Sequence, residues 1–202
     1  SHTSIWQSWG MLVHHRRALS FLGFGFLTSI ANDILFVIYA LWLSQQFDLG
    51  ITAIALATPV IGLAELIGET LTATIADRIG LSRALMGAGI LTTISYGLLP
   101  IIGQTTNGAL IALFVTFLLF EFTIVTSFSV ATELLPTARA TLLSAYVAAG
   151  GSGRVIGSLL AILLWSWGQQ STWGGIVVSS VTITMLNGLG IICFWWGLKR
   201  EA

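Results

Sequence analysis

The chain has 202 residues, of which 55% are hydrophobic and only 8% charged, with eight acids balancing eight bases. Soluble domains carry about 25% charged residues, so a water-soluble globular fold is excluded, and disorder, which needs low hydrophobicity and high charge, is excluded with it. The single cysteine, Cys193, leaves no disulfide scaffold or thiolate metal site, no cofactor is expected, and zero net charge argues against a nucleic-acid partner.

An integral membrane protein is the class that remains, and a spanning helix needs about 20 mostly apolar residues. In chain order, residues 1–17 read as a cytoplasmic N-terminal segment, with Trp6 and Trp9 at headgroup level and Arg16 and Arg17 at its end. Residues 18–199 read as a six-helix transmembrane domain with spans at 18–43, 51–76, 84–103, 109–133, 140–167 and 173–198. The first span contains Asp33, the second Glu65 and Glu69, the fourth Glu121 and the fifth Arg154, whereas the third and sixth contain no charge. Ten-residue alternation typical of a membrane barrel is absent, and the first span is too long for a signal peptide.

Seven basic residues fix the expected orientation. Arg16, Arg17, Arg78, Arg83, Arg139, Lys199 and Arg200 all fall on one side of this topology. The positive-inside rule makes that side, with both termini, cytoplasmic. Tryptophans fit the same frame as lipid-facing interfacial anchors, with Trp42, Trp165, Trp167 and Trp173 at the outer boundary and Trp195 and Trp196 at the inner one.

The five charges inside the spans each cost about 2.5–3.5 kcal/mol on insertion scales. They are therefore expected to face protein or a wet cavity, and to mark a substrate or proton pathway. Glu65 and Glu69 share one helix face, one turn apart. Two carboxylates so close in low dielectric do not both ionise readily, which suits proton coupling. A permanent ion pair between one of them and Arg154, whose guanidinium cannot lose its proton, is the purely structural alternative. Helix-packing hydrogen bonds are the corresponding alternative for Asp33 and Glu121. Gly150, Gly151, Gly153 and Gly157 surround Arg154 and allow either close helix packing or flexing. The distribution of charge repeats at a three-helix interval, so the expected architecture is an all-α membrane fold built as a 3+3 inverted repeat. Spans three and six are expected at its periphery.

The loop after the second span, Ala73-Thr-Ile-Ala-Asp77-Arg78-Ile-Gly80-Leu81-Ser82-Arg83, resembles the cytoplasmic G-x-L-A-D-R-x-G-R-K/R motif of the major facilitator superfamily. Asp77, Arg78 and Gly80 match, and Arg83 stands where a basic residue is usual. Ala73 replaces the first glycine, while Leu81 and Ser82 replace residues that are often basic. The loop after the fourth span, Glu133-Leu-Leu-Pro136-Thr-Ala-Arg139-Ala, resembles the E-x-x-P-x-x-R-A/G segment of the same superfamily. The resemblance covers residues 14–198 and implies the C-terminal half of a twelve-helix transporter, most like bacterial drug or sugar efflux members of the inner membrane. It further implies that Asp77 caps or braces an adjacent helix end, and that Arg78, Arg83 and Arg139 hold a cytoplasmic gate through carboxylates such as Glu133; topology together with lipid-phosphate binding is the alternative for these arginines. The implied partners are the lipid bilayer, a small-molecule substrate, protons, and a second six-helix half. That second half is either the N-terminal half of the same transporter or a second copy meeting it through spans two and five.

The expected function is secondary active transport of a small solute by alternating access, as proton-coupled efflux. Two alternatives from other classes stand beside it. One is the six-helix substrate-binding membrane subunit of an energy-coupled importer; the other is a structural membrane subunit. An intramembrane serine protease is not expected. Ser152 lies between glycines, but His2, His14 and His15 all precede the first span and leave no buried base.

Overall fold

A computed structural model describes residues 5–199, with the side chains of residues 5–8, 53 and 54 outside that description, as are Arg200 and the side chain of Trp6. The described residues are almost all helical, with short links such as residues 48–51 and 171–174, and contain no strand. A short helix, α1 (Ile5–His14), precedes the long α2 (Arg16–Phe47). The second span is α3 (Thr52–Leu71), continued by a π turn (Thr72–Ala76) and a last helical turn (Asp77–Ile79). Then come α4 (Leu81–Ile102), α5 (Thr106–Leu134), α6 (Arg139–Gln170) and α7 (Gly175–Lys199). Six of these helices are long and apolar enough to cross a membrane. The fold is that of an all-α integral membrane protein.

Boundaries differ modestly from expectation. The expected first loop loses Ser44–Phe47 to α2, because Trp42 Nε1 donates to Gln46 Oε1 (2.6 Å) and Gln46 Nε2 donates to the Gly103 carbonyl (3.0 Å). A polar tetrapeptide thereby becomes a helical turn that ties α2 to the end of α4. The N-terminal segment is not a mere tether: α1 buries Leu12 against Leu135, Ala138 and Leu142, while Trp9 and Val13 remain exposed. His15 then caps α2, its Nδ1 accepting from the Ala18 amide at 3.3 Å.

The helices pack in three layers. α4 and α7 pack on each other; α7 packs on α2 and α4 on α5; α6 covers α2 and α3 covers α5. α2 is the most enclosed span, 61% of its most apolar stretch being buried, against 28% for α3 and 17% for α6. Beyond Arg83 at the start of α4 and Lys199 at the end of α7, these two helices carry no charge and present apolar side chains such as Ile94, Ile101, Met185 and Leu189 outward.

Two of the expected tryptophan anchors prove to be core residues. Trp42 is fully buried and Trp165 is 7% exposed, so neither faces lipid. Trp42 fills the space left by the missing side chain of Gly103, where a Cβ would come within 2.3 Å of the indole. Trp165 lies against Gly175 in the same way. Trp167, Trp173, Trp195 and Trp196 are exposed as expected, and Lys199 sits 3.9 Å over the Trp195 ring at the C-terminal end of α7.

The glycine run of α6 divides by face. A Cβ at Gly153 would lie 2.5 Å from the Phe26 carbonyl oxygen, and one at Gly157 would lie 2.7 Å from that of Ile30. Gly150 would meet only Ser29 Oγ at 3.2 Å, and Gly151 meets nothing within 4 Å. Gly153 and Gly157 are thus packing residues against α2, and α6 runs without a break through all four. Gly157→Leu should therefore destabilise the protein by about 1–3 kcal/mol through overpacking. Gly151→Ala should be neutral or stabilising by up to about 1 kcal/mol through helix propensity. Denaturant titration in detergent micelles measures both.

Candidate functional site

Four of the five intramembrane charges converge. Glu65 lies within electrostatic range of Glu69 and Arg154, and Glu121 within range of Glu65, Glu69 and Arg154. They come from α3, α5 and α6. Glu65 and Glu121 are half-buried, whereas Glu69 and Arg154 are exposed. Among the described residues no acid stands within ion-pair distance of Arg154. The permanent salt bridge considered from sequence is absent, because the carboxylates and the guanidinium sit on separate helices across an open face.

Asp33 is held differently. It accepts a hydrogen bond from the Ser158 hydroxyl of α6, one turn beyond Arg154, and a Cβ at Gly157 would lie 2.9 Å from its own Cβ. This contact has a counterpart at Glu121. A Cβ at Gly68 would lie 2.7 Å from the Leu118 carbonyl oxygen and 3.0 Å from the Glu121 Cβ. In each case a glycine presses on a carbonyl three residues before the acid, and a charged residue, Arg154 or Glu65, precedes that glycine by three positions. Ser158 was not legible as a partner, although its spacing of one turn from Arg154 puts it on the same face.

Beside Arg154 is a half-open cavity of about 240 Å³, lined also by Ser29, Phe128, Tyr146, Gly150 and Gly151. A water molecule takes about 30 Å³ of liquid, so this volume accommodates several waters or a small polar group. Gly151 therefore serves as open wall. Tyr146 and Ser29 are contributions that charge-based sequence reading missed. The Tyr146 ring stacks on Phe21 with centroids 4.6 Å apart and occupies the space over Gly25, where a Cβ would collide at 2.3 Å. Ser127 and Tyr146 share a hydroxyl–hydroxyl hydrogen bond of 2.7 Å that fixes the ring.

The expected gate residues are less organised. Asp77, Arg78, Arg83, Glu133 and Arg139 are all exposed, and none joins another in an ion pair among the described residues. Asp77 makes no cap. The helix that follows starts from Gly80, which at φ +92° carries no side-chain cap, and Asp77 lies three residues upstream in a separate turn. The π turn Thr72–Ala76 lies between Glu69 and this loop, with Thr72 Oγ1 donating to the Gly68 carbonyl (3.0 Å) and lying 3.4 Å from that of Phe122. Single π turns recur at functional positions of helices. Among the described residues, no group of three His, Cys, Asp or Glu side chains has the disposition to hold a metal ion.

The arrangement is that of a helical membrane protein with ionisable groups gathered on one open face. The chain matches no family model, no curated protein and no solved structure.

Tyr146→Phe should cost about 0.6 kcal/mol, the average for a hydrogen bond between membrane helices. Tyr146→Ala should cost about 3–5 kcal/mol by emptying the space over Gly25. Denaturant unfolding of the two variants in micelles reads the difference.

Proposed function

We propose that this chain is a six-helix half of a secondary transporter that moves a small solute by alternating access, as proton-coupled efflux. The observation that carries the reading is the convergence of Glu65 and Glu69 of α3, Glu121 of α5 and Arg154 of α6, with a cavity of mixed polar and apolar lining beside Arg154. Intramembrane ionisable residues generally mark substrate or ion pathways. Arg154 is a fixed cation. A carboxylate near it serves as its counter-ion until a proton or a substrate group displaces it, and that exchange links proton binding to a change in the site.

Two further observations support the reading. The matched contacts, Gly157 on Asp33 and Gly68 on Glu121, together with the pairing of α6 on α2 and α3 on α5, suit a 3+3 inverted repeat. The two loops that resemble major facilitator motifs flank the ends of α3 and α5, and Asp77, Arg78, Arg83, Glu133 and Arg139 would form their inter-half contacts once the second half is in place. In this reading the basic loops and both termini are cytoplasmic and the membrane is the bacterial inner one. The exposed faces of α3 and α6 meet either an N-terminal half or a second copy.

The test uses the protein with its second half, reconstituted in liposomes with an imposed pH gradient and screened against drug cations and neutral sugars. For a transported solute, Glu65→Gln, Glu69→Gln and Glu121→Gln are compared singly with wild type. At least one should uncouple transport from the gradient, lowering gradient-driven flux by about 100-fold, the lower end of what a positioned proton-transfer group contributes. If all three keep wild-type pH dependence, the proton role is wrong. If no solute moves, transport itself is wrong.

A further inference from the structure

Away from the charged face, α3, α4 and α5 leave an apolar groove of about 320 Å³ on the outside of the bundle. Leu71, Ile75, Gly87, Leu91 and Phe122 form its walls, and Arg83 is the charged side chain at its edge. Leu71 follows Glu69 by two positions, about 200° round the helix, so the groove and the charged face lie on opposite sides of α3. Ile75 and Leu91 are 38% and 52% exposed, which places apolar walls in contact with whatever surrounds the bundle.

The end of the groove near Arg83 has the makings of an anion site. Gly80 gives α4 no side-chain cap. The first backbone hydrogen bond there runs from the Ala84 amide to the Gly80 carbonyl, at 2.9 Å, and the amides of Leu81, Ser82 and Arg83 precede it. A cation in the first turn opposes the helix dipole; an anion placed there satisfies the amides and the guanidinium together. Arg83 is the third residue of its span, at headgroup depth, and the exposed Arg78 adds a second positive charge in the same loop.

We propose that this groove is a binding site for an anionic phospholipid, with one acyl chain along Leu71, Ile75 and Leu91 and the phosphate at Arg83 and the start of α4. Charge complementarity selects this occupant. A zwitterionic lipid brings the same phosphate but with a choline cation that Arg78 and Arg83 both repel, and a free phosphate has no use for the apolar walls. Because Ile75 belongs to the π turn below Glu69, an occupied groove braces that turn. The proposal rests on the membrane fold and not on transport.

Gly87 lines the groove and a Cβ there meets nothing within 4 Å, so Gly87→Phe places a ring in the groove. The protein is taken into nanodiscs of phosphatidylcholine doped with phosphatidylglycerol, and co-purifying lipid is counted by native mass spectrometry. Wild type should retain phosphatidylglycerol over phosphatidylcholine by about fivefold, the effect of roughly one basic residue at an anionic surface. Arg83→Gln should abolish that preference while leaving phosphatidylcholine retention unchanged, and Gly87→Phe should lower retention of both lipids. Equal retention of the two lipids by wild type overturns the proposal. So does wild-type retention in Gly87→Phe, or displacement of phosphatidylglycerol by millimolar inorganic phosphate. Should Gly87→Phe elute as aggregate, the exposed Arg83→Gln decides alone, and an unchanged lipid preference there overturns the site.

Discussion

The bundle depends on how closely α2 can be approached. Lipid tails are as apolar as leucine, so membrane helices gain little from hiding hydrophobic surface and associate through packing and hydrogen bonds. Glycine is what permits backbone contact. Gly153 and Gly157 of α6 sit on the carbonyls of Phe26 and Ile30, while Gly190 and Gly197 of α7 sit on Thr28 and Ser20 from the other side. α2 is thereby enclosed by two helices at once, which explains why it is the most buried span. The position of the charged face follows from the same contact. Gly157 brings Asp33 under α6, and the Gly153–Gly157 register turns Arg154 to the open side.

Hydrogen bonds between helices refine what the glycines allow. Tyr96 of α4 donates to Asn32 Oδ1 at 3.2 Å, and Ser180 of α7 donates to the Tyr96 carbonyl. Asn187 of α7 reaches the Gly89 carbonyl at 3.2 Å and Thr93 Oγ1 at 2.8 Å. Thr92 and Thr123 pair their hydroxyls at 3.3 Å between α4 and α5. Each bond is weak, averaging about 0.6 kcal/mol in membranes. Their value here is register, since each fixes one helix against another along the bundle axis, and the Thr92–Thr123 pair so sets the height of Glu121 on α5.

What could be read in advance follows from what each signal depends on. Six spans were legible because a helix must satisfy its backbone within itself in lipid, which makes length and hydropathy sufficient. The charged residues were legible because a charge in a span is expensive wherever its neighbours lie. Trp42 and Trp165 misled because an amphipathic indole at a span end suits both a headgroup and a glycine-lined recess, and only Gly103 and Gly175, distant in sequence, decide between them. Ser158, Tyr146 and Ser29 were invisible for a related reason: a serine or tyrosine in a span costs little and gains meaning only from the partner opposite.

The open face then poses an energetic question that the described residues do not answer by themselves. Arg154 is exposed near the middle of α6, and Glu69 is exposed near the middle of the continuous span Ala55–Ile79, on the two spans with the least burial. Facing hydrocarbon, each would cost about 2.5–3.5 kcal/mol on insertion scales, and neither is neutralised by an ion pair among the described residues. The opposite flanks of the bundle, on α4 and α7, carry apolar side chains outward between Arg83 at one end and Lys199 at the other, and need nothing more than lipid along that length. The two surfaces therefore demand different surroundings. Lipid satisfies the α4–α7 side, and the α3–α6 side requires water or polar protein groups against its charges.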